Sequence, residues 1–74
     1  LLRNAAIVLG NQRAAAAVPA LTRGLADSEP VIRGACAWAL GQIDTPEARA
    51  ALQARTAVEQ DADVRGEITA VLAP

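Results

Sequence analysis

Cys36 is the only thiol in this sequence, which contains no histidine, tyrosine, phenylalanine or methionine. General acid–base work draws mostly on histidine or on tuned carboxylates, zinc sites on nitrogen and sulfur ligands, and iron–sulfur clusters on several cysteines. The missing residue types remove most of those sets, so no catalytic, metal-ligating or cofactor-binding residue is assigned. Cys36 lies four residues after Ile32 and four before Leu40, on an apolar helix face, which marks it as a small buried hydrophobe rather than a reactive thiol. Asp27, Asp44, Asp61 and Asp63 fall where turns and helix starts use short carboxylates, and no two of them are expected to share a burial-prone apolar pocket of the kind acid–base work uses.

What remains is recognition. Seven arginines and no lysine stand against eight acidic residues, a formal charge of −1, which rules out the strongly basic field of an autonomous nucleic-acid binder. Arginine suits planar contacts to carboxylate or phosphate better than lysine does, although the lack of lysine beside nineteen alanines also fits a bias in genomic base composition. The residues singled out as candidate contacts to a nucleic acid or a protein partner are Arg3, Asn4, Asn11, Arg33 and Trp38.

Those residues sit in a repeat. Leu1 to Gly10 aligns with Ile32 to Gly41 and with Val64 to Ala73, so that Gly10, Gly41 and Ala73 recur 31 and 32 residues apart. Between the copies, Ala17-Val18-Pro19-Ala20-Leu21 matches Ala48-Arg49-Ala50-Ala51-Leu52 at the same offset, which gives two helices per repeat. In the middle copy Ile32, Ala35, Cys36, Ala39, Leu40 and Ile43 recur at three- and four-residue steps and form the core face of one helix. Ser28 is the expected cap before Pro30, Gly41 the expected left-handed stop, and Thr45 and Asp61 the expected starts of the last two helices.

The pattern predicts an all-α chain of five helices, near residues 1–9, 14–26, 30–41, 46–58 and 62–73, about two and a half helix-pair repeats of an α-solenoid in one domain, 1–74. Pro19 inside the second helix predicts a bend or a late start. Abundant alanine allows the helix axes to approach closely, and each thin layer depends on its neighbours for burial. The chain has no methionine and opens on helix-patterned sequence at Leu1, the expectation for part of a longer protein with a domain upstream. No apolar run is long enough to span a bilayer and nothing resembles a signal peptide, so a cytoplasmic origin is expected.

Trp38 admits two placements. In the first the indole packs over Gly34 and Gly66, filling a gap between neighbouring helices, which would account for two glycines that each cost about 1 kcal/mol against alanine in a helix interior. In the second the ring is exposed on the concave surface, free to stack on a base or a partner side chain.

The apolar-Arg start, the Ala-Leu-Gly step and the Ala17-Val18-Pro19-Ala20-Leu21 segment resemble the short HEAT-like repeats of the phycobilin-lyase type. Arg3-Asn4 joined to Leu9-Gly10-Asn11, followed by Trp38-Ala39-Leu40-Gly41 and by Asp63-Val64-Arg65-Gly66-Glu67-Ile68, resembles more narrowly the carboxy-terminal repeats of the epoxyqueuosine reductase family. Gln12-Arg13-Ala14-Ala15 departs from the Gly-Asp-Pro turn common in such repeats. The resemblance implies a parent oxidoreductase that converts epoxyqueuosine to queuosine in tRNA with cobalamin and two four-iron four-sulfur clusters held upstream. It implies for this stretch a non-catalytic part that helps to dock the anticodon stem-loop. A protein–protein scaffold is the alternative. In HEAT-like repeats, Asp and Arg residues placed like Asp27, Arg33 and Arg65 form a ladder between layers, whereas Arg3 lies one position later in the repeat, with Leu2 at the ladder position, and is expected to face outward.

Overall fold

The computed structural model describes all 74 residues. Helix α1 spans Arg3–Asn11, a 3-10 turn spans Ala15–Ala17, and α2 (Val18–Gly24), α3 (Pro30–Ile43), α4 (Pro46–Thr56) and α5 (Ala62–Leu72) complete the chain, with no strand. The all-α reading and the five helices therefore stand. The second helix is the one that Pro19 reshapes. An uninterrupted helix from residue 14 would need an N–H that Pro19 lacks, so the chain makes a 3-10 turn and α2 begins at Val18 with proline in its first turn.

Two expected helix ends hold and two are corrected. Thr45 Oγ1 accepts from Ala48 N–H at 3.1 Å, and Asp61 Oδ1 accepts from Val64 N–H at 3.0 Å, each satisfying a donor in the first turn. Ser28, however, is not the cap of α3. Glu29 holds that position without a side-chain bond, and the Asp27 carboxylate accepts from Glu29 N–H at 2.8 Å. Gly41 does not stop α3 either: the helix runs on to Ile43, and Asp44 takes the left-handed conformation, with φ 54° and ψ 40°.

Gly41 is small for a different reason. A Cβ added to it would lie 2.6 and 2.8 Å from the two methyl groups of Val71 on α5. One repeat earlier, a Cβ on Gly10 would lie 2.6 Å from the Trp38 ring and 2.9 Å from Ala39 Cα on α3. The Leu-Gly step of the first two repeats thus lets the next helix approach closely, to its backbone at Gly10 and to the Val71 side chain at Gly41, and its function is packing rather than capping.

Helices α1, α3 and α5 form one row and α2 and α4 the other, with α3 against all four of the rest. That central position explains why α3 buries Ala37 as well as Cys36, Ala39 and Leu40, all fully shielded, although Ala37 lies off the face that periodicity marks as core. Leu21, Leu52, Val64 and Ile68 close the core from α2, α4 and α5. Cys36 is buried as expected, and the apolar surroundings push its thiol pKa up.

The glycines give a paired stability prediction. Gly10→Ala should lower stability by about 1–2 kcal/mol, because Ala39 Cα is backbone and cannot move aside, and overpacking outweighs the gain in helix propensity. A methyl added at Gly66 would meet no atom within 4 Å, and the residue is exposed in mid-helix, so Gly66→Ala should raise stability by about 1 kcal/mol. Urea denaturation of both variants checks the opposite signs.

Candidate functional site

Glu59, in the loop joining α4 to α5, is the most completely engaged polar side chain in the molecule and was not marked by the sequence reading. It is 1% exposed. Its carboxylate accepts from Arg33 Nε at 2.9 Å, Arg33 Nη2 at 3.0 Å, Arg55 Nε at 3.0 Å and Asp61 N–H at 3.0 Å. The fork from Arg33 is the main cause of a carboxyl pKa lowered from 4.5 to about 2, against the opposing effect of burial, with Asp61 N–H and Arg55 adding to it. Arg33 in turn is held more firmly protonated by Glu59.

Arg33 therefore joins layers. Its Nη1 also donates to the backbone carbonyls of Asp27, at 2.9 Å, and Ser28, at 3.2 Å. The ladder expected at this position exists, but its rung runs to Glu59 and not to the Asp27 carboxylate. Arg65 repeats part of the pattern one layer on, donating from Nη1 to the carbonyls of Glu59, at 2.7 Å, and Thr56, at 3.4 Å. A signal for Glu59 was present in the sequence: it precedes Arg65 by six residues, as Asp27 precedes Arg33. With its donors committed and its side chain 13% exposed, Arg33 has little left for an outside ligand.

The other candidates divide between two surfaces. Arg3 and Trp38 line a groove of about 490 Å³ across the α1–α3–α5 row, with Ile7 and Gly34 between them and Asp61, Asp63 and Glu67 on the α5 side. Trp38 is half-buried. Its ring occupies the notch left by Gly10, while Gly34 has only Val64 Cγ2 nearby, at 3.9 Å from a Cβ, and Gly66 has nothing, so packing over Gly34 and Gly66 is corrected. Gly10 is the deeper recess and accepts the indole from the neighbouring helix. Asn4 and Asn11, seven residues apart and both exposed, share the outer flank of α1 with half-exposed Val8 and do not line the groove.

Charge is distributed along the stack in a way that the total conceals. Arg3, Arg13 and Arg23 precede Asp27 with no acidic residue among them, and all three are exposed and outside every ion pair. From Asp27 onward eight carboxylates face four arginines, of which Arg33, Arg49 and Arg55 are paired internally. Arg13 and Arg23 were not among the sequence candidates. Their position in the longest carboxylate-free stretch is what distinguishes them.

Stacked helix pairs in two rows with a charged inter-layer rung define a helical-repeat protein. The HEAT-repeat family matches residues 1–73, and the chain belongs to that family. It is 41% identical over 70 residues to epoxyqueuosine reductase of Listeria monocytogenes, covering 93% of this chain and 18% of that protein. It is 39% identical over 67 residues to epoxyqueuosine reductase of Bacillus subtilis, covering 89% of this chain and 17% of that one. An uncharacterised protein of Geobacillus stearothermophilus is also 39% identical over 67 residues, 31% of its length. The chain thus spans less than a third of each of these relatives. No solved structure matches it. No helix of the chain is long and apolar enough to cross a membrane.

Proposed function

We propose that this chain is a non-catalytic recognition module of a tRNA-modifying reductase of the epoxyqueuosine type, docking the anticodon stem-loop of the substrate tRNA. The likeness to two epoxyqueuosine reductases supplies the context. The single observation that carries RNA docking is the carboxylate-free first layer, where Arg3, Arg13 and Arg23 are exposed and unpaired beside Asn4 and Asn11. Phosphate contacts of this kind position an RNA without reading its sequence. Cobalamin and the two four-iron four-sulfur clusters that the resemblance implies do not fit the residues here, because the only cysteine is fully buried and no group of potential ligands converges. In this reading they belong to an upstream catalytic domain of a cytoplasmic protein, and tight tRNA binding needs that domain as well.

Three free arginines limit the strength of the contact. Counterion release gives a slope of log K against log salt of about −0.9 per phosphate contact in duplex and about −0.7 in single strands, so about −2 to −3 in all. The expected result is weak binding of a labelled anticodon stem-loop in a low-salt anisotropy titration. Arg3→Ala, Arg13→Ala and Arg23→Ala should each reduce the affinity and flatten the slope by about one contact. Arg49→Ala should leave it unchanged, since Arg49 pairs with Asp44 at 3.0 Å on another part of the surface. Loss of binding with Arg49→Ala but not with Arg3→Ala overturns the assignment.

A further inference from the structure

The groove across the α1–α3–α5 row has the wrong electrostatics for a phosphate backbone. Its α5 wall carries Asp61, Asp63 and Glu67, and the facing edge carries Arg3 alone. Asp61 spends one carboxylate oxygen on the Val64 N–H, while Asp63 and Glu67 take part in no ion pair. Between the walls lie Ile7, Gly34 and half-buried Trp38, and a methyl added at Gly34 would meet nothing nearer than 3.9 Å, so the floor is apolar and open. A volume of about 490 Å³ falls within the range of side-chain and small-ligand pockets.

We infer that this groove docks a basic polypeptide segment, receiving an arginine or lysine side chain between the Trp38 indole and the carboxylates of Asp63 and Glu67. Charge complementarity selects the occupant. An indole face attracts a cation within about 6 Å, most strongly where water is partly excluded, and an aliphatic stem is accommodated by an apolar floor. Two unpaired carboxylates beside that ring supply the hydrogen-bond acceptors that a guanidinium or ammonium group needs. An RNA strand entering the same groove would bring phosphates against three carboxylates, and of the residues assigned to RNA docking only Arg3 reaches this groove, while Trp38, Asp63 and Glu67 take no part in that docking. The inference therefore stands whether or not the module binds tRNA.

The test uses the 74-residue chain and a hexa-arginine peptide at low salt, read by the fluorescence of Trp38, the only aromatic residue in the chain. The peptide should shift or quench that fluorescence saturably. The double variant Asp63→Asn, Glu67→Gln should weaken binding about fivefold to tenfold, the loss expected for two partly exposed charge contacts. The charge-matched double variant Asp44→Asn, Glu47→Gln, outside the groove, should stay within about twofold of wild type. Circular dichroism confirms that both variants are folded. Equal weakening by the two double variants reduces the effect to overall charge and overturns the inference. So does an oligouridine of equal length that perturbs Trp38 more than the peptide does, or a peptide that leaves Trp38 unperturbed.

Discussion

Glu59→Ala is expected to lower the stability of the folded chain by on the order of 3 kcal/mol, because it leaves the Arg33 and Arg55 guanidiniums facing a site built for a carboxylate. It also removes the acceptor for the Asp61 N–H at the start of α5. A chain of this size has a total stability of only about 4–11 kcal/mol, so one substitution would take a large fraction of it. Urea denaturation measures the loss, and a change below about 1 kcal/mol would show that the rung is dispensable.

The same carboxylate sets the acid sensitivity of the fold. Its folded pKa, about 2, lies below the ordinary value of 4.5, so on unfolding the group takes up protons as pH falls. Its stabilising contribution is therefore fully present above about pH 4.5 and is lost as pH falls toward 2. Wild-type stability should decline through that window, and Glu59→Gln should be less stable near neutrality and show a flatter decline. Parallel acid transitions in the two proteins would place the sensitivity elsewhere.

Leu40→Ala is the second large effect, expected to cost about 3 kcal/mol. Leu40 is fully shielded at the centre of α3, and α3 packs against every other α-helix, so a cavity there is lined from both rows and both neighbouring layers. Thin layers have few large side chains available to fill a void. Val31→Ala on the same helix, 61% exposed, should change stability by less than about 0.5 kcal/mol, which separates truncation of a buried side chain from truncation of an exposed one. Comparable losses in the two variants would contradict the central role of α3.

The recognition surface was legible only in part. Arg3, Asn4 and Asn11 are exposed as their place in the repeat predicts, because a residue off the apolar stripe of a helix has nowhere else to go. Arg33 and Trp38 were harder to place, since Arg33 lies just beyond the edge of that stripe and Trp38 well away from it, where an indole could pack or face outward. Glu59 supplies an interior partner for Arg33 at a sequence distance of 26 residues, and Gly10 supplies a recess for Trp38 from the preceding repeat. Local spacing marks Glu59 as equivalent to Asp27 in the repeat but pairs it with neither Arg33 nor any other distant residue, and it says nothing of the recess at Gly10.

The sequence by itself determined the period, the helical state of every repeat and the starts at Thr45 and Asp61, because backbone hydrogen bonding and apolar periodicity are local over one or two turns. Only the tertiary structure decided what the small residues are for. Gly41 could have been a helix stop or a contact point, and the approach of Val71 made it a contact point. Only the stacking of layers decided which charges are spent within the fold and which face outward, because a buried carboxylate draws its counterions from whichever helices surround it, and those meet only when the repeats pack.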